Sequence, residues 1–155
     1  MTNLTAPFHD HHKHCDNLFA DAEAAIAARD WILGGALLQD FSSSLETHFG
    51  VEEDALFPAF EAASGIVAGP TRMMRLEHAQ MRQLLEQLDE AAKHKDGAAF
   101  AGTAETLLIM MQQHNLKEEN ILYPMCDRTL AAQADSLAPQ MQGRLAGTPA
   151  PLVPA

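Results

Sequence analysis

His48 and Glu52 stand four residues apart, and so do His114 and Glu118. On an α-helix that spacing puts an imidazole and a carboxylate on one face, about one turn apart. Each pair heads a similar segment: His48-Phe-Gly-Val-Glu52-Glu53-Asp-Ala-Leu56-Phe57-Pro58 matches His114-Asn-Leu-Lys-Glu118-Glu119-Asn-Ile-Leu122-Tyr123-Pro124, at an offset of 66 residues (114 − 48). The same offset carries His78 back onto His12 and Leu84-Leu85 onto Leu18-Phe19. His11 and His14 fail this test, because they would pair with Glu77 and Gln80 and throw the following apolar residues out of phase. The chain therefore reads as two helical hairpins of one design, each supplying a His and then His-xxx-Glu 36 residues later (48 − 12 and 114 − 78).

Four imidazoles and two carboxylates converging in a helical core suit metal ions. A buried carboxylate without a counter-charge costs several kcal/mol, and coordination is one of its usual remedies. Arg82 is the one inward basic residue in sight. Imidazole accepts iron, zinc or copper, whereas carboxylates shared between ions favour a hard metal, which points to iron with manganese second. Six ligands on four helices fit two ions better than one: two imidazoles each, both glutamates shared, and room for oxo, water or a diatomic ligand. A single inward His is commonly a hydrogen-bonded core residue; four in matched register are read as ligands. Glu53 and Glu119, at i+5 and about 140° round the helix from their histidines, read as solvated charges or as acceptors behind the ligands. His9, His11 and His14 are placed behind the ligands or at the surface, and His94 at a helix end facing the dipole. Cys15, one turn from His12, is either a pocket residue or a small core residue, and the methionines read as core filler.

Helical periodicity dominates, so the elements that position these residues are all α. The first helix is expected over about Phe8 to Arg29 with Leu18, Phe19, Ala22 and Ile26 inward, and the second from an Asp30 N-cap to Ser64-Gly65. The third runs from near Thr71 to Lys95-Asp96-Gly97, with Met74, His78, Met81, Leu84, Leu85 and Leu88 inward. The fourth starts near Ala98 and carries Phe100, Leu107, Leu108, Met111, His114, Ile121 and Leu122, with Pro124 marking a kink or end. A short fifth helix is expected over 128–145. Residues 1–146 thus form one bundle domain, and Gly147–Ala155 a flexible Pro-rich tail.

The 155 residues, 47% of them hydrophobic, are enough for one core. Two cysteines without a CxxC pair suggest neither disulfides nor a thiolate zinc site and fit a reducing cytoplasm. There is no basic-then-apolar signal pattern at the N-terminus and no apolar run of membrane-spanning length. Ten Lys and Arg against 21 Asp and Glu, a formal net charge of −11, argue against nucleic acid and anionic membranes as partners.

Across residues 8–127 the chain resembles the hemerythrin-like, cation-binding family, through the order and spacing of these residues and the repeated Glu-Glu-x-x-Leu-aromatic-Pro segment. The resemblance implies an up-down-up-down four-helix bundle, with His12, His48, His78 and His114 as terminal ligands and Glu52 and Glu118 bridging two oxo- or hydroxo-bridged irons, for which manganese or zinc could substitute. Oxygen-carrying members have a second His one turn after the third-helix ligand, where this chain has Arg82, and typically an Asp one residue beyond the position of Glu118. It is closer in both respects to the four-His, two-Glu members, which include iron–sulfur repair proteins. Without the extra His both ions are under-coordinated, which disfavours oxygen carriage. The expected function is to bind or sense a small ligand (O2, NO or peroxide) or to handle iron; alternatives are a di-iron enzyme that processes peroxide or NO or repairs clusters, and a metal-free interaction bundle.

Overall fold

A computed structural model describes residues 3–147. The helices are α1 (Ala6–Ala27), α2 (Trp31–Val51), α3 (Phe57–Ser64), α4 (Pro70–Lys93), α5 (Gly97–Lys117), α6 (Tyr123–Thr129) and α7 (Ala134–Leu145). Single π turns, Glu52–Leu56 and Glu118–Leu122, join α2 to α3 and α5 to α6, and a 3₁₀ turn, Ala131–Gln133, precedes α7. α1 packs on α2, α2 on α4, α4 on α5 and α5 on α1, closing an up-down-up-down bundle, and α7 lies against α1 and α2 as the expected fifth helix. No helix among the described residues is long and apolar enough to cross a membrane.

Local chemistry sets the boundaries. Asp30 caps α2 by accepting from the Leu33 amide (3.1 Å), and Asp96 caps α5 by accepting from the Ala99 amide (3.0 Å). Gly65, at φ 74°, ends α3 in the left-handed conformation that glycine tolerates. Gly34 lets α2 approach α1, since a Cβ there would sit 2.3 Å from Ile26 Cδ1. Pro58 and Pro124 occupy the first turns of α3 and α6, and helical backbone continues beyond them to Ser64 and Thr129, so Pro124 does not end the fourth helix.

The inward stripes hold along the long helices: Phe19, Ala22, Ile26, Met74, Met81, Leu85, Leu88, Phe100, Leu107 and Met111 are buried, with Leu18, Leu84 and Leu108 half-buried at the margin. Ile121 departs from expectation, being 55% exposed. A π turn adds one residue to the helical register, which rotates the chain beyond it by roughly 100° and turns Leu122 and Tyr123 inward instead. Of the tail expected from Gly147 onward, 148–155 lies outside the described residues.

Two apolar cores result. A loop-side core gathers Phe19, Leu38, Phe41, Leu88, Phe100 and Leu107 near the α1–α2 and α4–α5 turns; a cap-side core gathers Phe8, Leu56, Phe57, Phe60, Tyr123 and Met141 beneath α3, α6 and α7. The predicted histidines fall between them on all four long helices, for example between Phe8 and Cys15 on α1 and between Met74 and Met81 on α4.

Candidate metal centre

His12, His48, Glu52, His78, His114 and Glu118 meet in that intervening layer, and none is more than 5% exposed. Nε2 of His12 lies 3.0 Å from Glu118 Oε1, Nε2 of His114 3.3 Å from the same oxygen, and Nε2 of His48 and His78 lie 3.5 and 3.2 Å from Glu52 Oε1. Donor atoms of Glu52, His78, His114 and Glu118 fall within 4.8 Å of one another, and so do those of His12, His48 and Glu118. At metal–ligand distances of about 2.1 Å, opposite donors around one ion stand roughly 4.2 Å apart, so each group has the spread of a single coordination sphere.

Each ring is held from behind by its other nitrogen. Nδ1 of His12 lies 2.6 Å from Glu119 Oε2, Nδ1 of His78 2.8 Å from Glu53 Oε2, and Nδ1 of His114 2.8 Å from Glu77 Oε1. Nδ1 of His48 instead meets Nδ1 of His11 at 2.9 Å. This fixes the rings with Nε2 inward, as metal-binding imidazoles require. Glu53 and Glu119 are thus the acceptors behind the ligands that their i+5 position suggested, although each serves the histidine of the opposite hairpin. Glu53 is anchored in turn by Arg82, whose Nη atoms lie 2.9 and 3.0 Å from it and whose Nε reaches Glu46, so the inward basic residue pairs with Glu53 and Glu46 rather than with Glu52.

The rest of the histidine cluster separates by exposure. His11 is buried against His48 and Ser44, His9 is about 40% exposed with Nδ1 3.8 Å from Glu119, and His14 is at the surface. His94 ends α4, with Nδ1 2.9 Å from the Glu90 carbonyl. Cys15 is buried, with Sγ 3.6 Å from His11 Nδ1 and 3.5 Å from Ser44 Oγ. Burial pushes its thiol up to about 11, so it is protonated at neutral pH and Sγ is a poor ligand.

Tyr123 is the functional residue that residue types alone did not single out. Its buried hydroxyl donates to Glu52 Oε2 (2.8 Å) and stands 3.1 Å from Glu118 Oε1 and 3.3 Å from Nε2 of both His12 and His48. The repeat held the signal: Tyr123 matches Phe57, and the two rings stack equivalently on His12 and His78, at 5.7 and 5.9 Å.

Electrostatics make the layer a strong cation site. Burial alone would lower the His12 and His78 pKa values; the carboxylates in contact, Glu118 at His12 and Glu52 and Glu53 at His78, reverse this and hold both at about 9. Burial likewise opposes ionisation of Glu52, yet the surrounding imidazoles keep it well below the carboxylate range. His11 is driven the other way, to about 3, by burial and the neighbouring His48. Among the described residues, Glu52 Oε1, His78 Nε2, His114 Nε2 and Glu118 Oε2 are buried polar atoms that make no well-aligned hydrogen bond, although His78 Nε2 and His114 Nε2 stand 3.2 and 3.3 Å from Glu52 Oε1 and Glu118 Oε1. Four such atoms in one place are costly unless a cation joins them, and two imidazole nitrogens with two carboxylate oxygens are the donors a first-row transition metal takes.

The family model described as the hemerythrin HHE cation binding domain matches residues 3–126. No curated protein and no solved structure matches the chain.

Proposed function

The chain belongs to the hemerythrin HHE cation-binding domain family, and from that premise we propose a non-haem di-iron protein of the cytoplasm that binds or senses O2, NO or peroxide, or handles iron. His12, His48, His78 and His114 would hold the ions through imidazole nitrogens and Glu52 and Glu118 through carboxylate oxygens, with manganese or zinc as substitutes for iron. The observation that carries this reading is the set of buried donor atoms without a well-aligned hydrogen bond that converge from α4, α5 and both π turns. The paired ions supply reversible redox binding of a small ligand. The chain's own groups orient the imidazoles through Glu53, Glu77 and Glu119, exclude water with Phe8, Phe49 and Phe57, and keep a proton on Tyr123 Oη. Burial and the two carboxylates push the Tyr123 pKa well above its ordinary value, so that proton stays in place at neutral pH.

That hydroxyl also supports a second reading, an enzyme that reduces or disproportionates peroxide or processes NO, because a buried phenol beside two carboxylates can hand a proton to a substrate oxygen. Metal analysis of protein purified without an affinity tag, followed by anaerobic iron loading, tests the shared core of both readings. About two irons per chain are expected, and a content near zero overturns them. Steady turnover of peroxide or NO by the loaded protein decides for the enzyme.

A further inference from the structure

The 66-residue repeat makes the two metal positions comparable residue by residue, and they are not alike. On the His78–His114 side both rings are backed by carboxylates, Glu53 and Glu77. On the His12–His48 side Glu119 backs His12, but the repeat equivalent of Glu77 is His11 (77 − 66), so His48 leans on an imidazole, which carries no negative charge. The donor groups are unequal too, with four residues converging on one side and three on the other, and Glu52 turns its second oxygen to the Tyr123 hydroxyl. The repeat equivalent of that residue, Phe57, has no hydroxyl with which to do the same on the other side. The four atoms without a well-aligned hydrogen bond all belong to residues of the four-donor group, of which only Glu118 is shared with the other, whereas Nε2 of His12 and of His48 each have the Tyr123 hydroxyl at 3.3 Å.

We propose that the two positions are unequal by construction: the His78–His114 position takes the first divalent ion and holds it tightly, and the His12–His48 position, backed by His11 and capped by Tyr123, is the labile one from which an ion exchanges. The proposal rests on the di-metal reading of the site, and concerns only how affinity is divided between the positions. A carboxylate behind a ligating imidazole raises its basicity, and losing such a partner typically weakens metal binding by about 10–100-fold. At the labile position an entering ion must also displace the hydrogen bonds that Tyr123 makes to the donors, a cost with no equivalent at the other position. His11 and Tyr123 are therefore positioning residues that set exchange rather than ligands.

Cobalt(II), titrated anaerobically into the metal-free full chain against a competing chelator, reads both steps through its visible d–d absorption without any catalytic assay. The expected result is two steps separated by about 10–100-fold. His11→Glu should tighten the second step and leave the first, Tyr123→Phe should also tighten the second by freeing Glu52 Oε2, and Glu77→Gln should weaken the first. Helical content by circular dichroism is measured on each variant. Tyr123→Phe, the smallest change, keeps the test available if the buried charge of His11→Glu prevents folding. Two equal steps in the unmodified chain overturn the proposal, as does a Glu77→Gln effect confined to the second step. Failure to bind cobalt at all overturns the di-metal reading instead, so the two failures are distinct.

Discussion

The two apolar cores on either side of the His/Glu layer are built by different means. The loop-side core consists of regular α-helix, its residues recurring at helical spacing: Leu38, Phe41 and Leu45 on α2, and Met81, Leu85 and Leu88 on α4. In the cap-side core Leu56, Phe57, Phe60, Leu122 and Tyr123 lie within or beyond the two π turns, Phe8 and Met74 join them from α1 and α4, and short helices close it. The π turns bring Phe57 and Tyr123 face-on to the ligand rings, and Tyr123 adds a hydroxyl to the layer. The loop-side core meets the layer through Phe49, which stacks on His78 at 4.0 Å, and through Cys15, whose Sγ lies 3.6 Å from His11 Nδ1. One core therefore mainly stabilises the bundle, while the other both stabilises it and arranges the metal donors.

The largest effect is expected in the layer itself. Glu52→Ala or Glu118→Ala removes an oxygen donor from the site and should abolish paired metal binding, whereas Glu53→Ala or Glu119→Ala removes only the support of one ring and should leave two ions bound, about 10–100-fold more weakly. Metal counting after equilibrium dialysis separates the outcomes. Equal loss from both kinds of change would mean that the ring-backing carboxylates are themselves ligands.

Next come the cores. Phe41→Ala and Phe57→Ala each empty a fully buried aromatic site and should each cost about 3–5 kcal/mol. Phe41→Ala should cost the same in metal-loaded and metal-free protein, because it touches no ligand ring. Phe57→Ala should cost more in the loaded protein, since it loosens His78. Denaturant melts of both forms test this, and identical metal dependence for the two variants would erase the distinction between the cores.

The same difference explains what could be read from the chain. The four long helices, the Asp30 cap and the loop-side stripe were legible because each follows a constant 3.6-residue period. The convergence of the candidate His and Glu side chains was legible because His-xxx-Glu within one α turn lies before the π distortion has accumulated. Beyond it the period fails: a constant 3.6-residue period turns Ile121 inward, yet it is exposed, and Tyr123 reads only as a member of the repeat although its hydroxyl is central to the site. Nothing in residue type announces a π turn; here its trace is that the proline falls ten residues after each ligand His (58 − 48 and 124 − 114) without ending the helix. His11 was set aside because it breaks the repeat, and that break is what leaves it backing His48 where Glu77 backs His114.

Changing the pH isolates the layer from both cores. In metal-free protein the His12 and His78 pKa values are raised from 6.5 to about 9, so their contribution to stability is complete below pH 6.5 and lost as pH rises through 9. Glu53 is lowered from 4.5 to about 2, so its contribution is present above 4.5 and lost as pH falls through 2. His11, lowered from 6.5 to about 3, works the other way: below pH 6.5 the unfolded chain takes up a proton that the folded chain refuses, so melting temperature should peak near pH 6.5, fall on the acid side and decline towards 9. Metal binding needs the imidazoles deprotonated, so affinity should rise over the interval in which metal-free stability falls. Neither core supplies a group that competes, since burial holds Cys15 at about 11 and pushes Cys126 and Tyr123 upward as well. Parallel rather than opposed trends between pH 6.5 and 9 would show that protons and metal do not share these nitrogens.

The smallest effects belong to the turns that close the loop-side end, where the repeat survives down to single backbone angles. Arg29 and Lys95 are 66 residues apart (95 − 29) and are the non-glycine residues with positive φ among those described, at 59° and 54°. Each is followed by the aspartate that caps the next helix, Asp30 or Asp96. A side chain in the left-handed region costs roughly 1–2 kcal/mol relative to glycine, and glycine gives back about 0.5–1 kcal/mol through the greater freedom of the unfolded chain. Arg29→Gly and Lys95→Gly should therefore each stabilise the protein by about 0.5–1 kcal/mol, and Asp30→Ala and Asp96→Ala should each cost about 1 kcal/mol. None of the four should change metal affinity, because none touches the layer. Chemical denaturation paired with cobalt titration measures both quantities on one set of variants. A cap or turn variant that shifted metal affinity tenfold would show that the loop-side end is coupled to the site, against the division of labour between the cores.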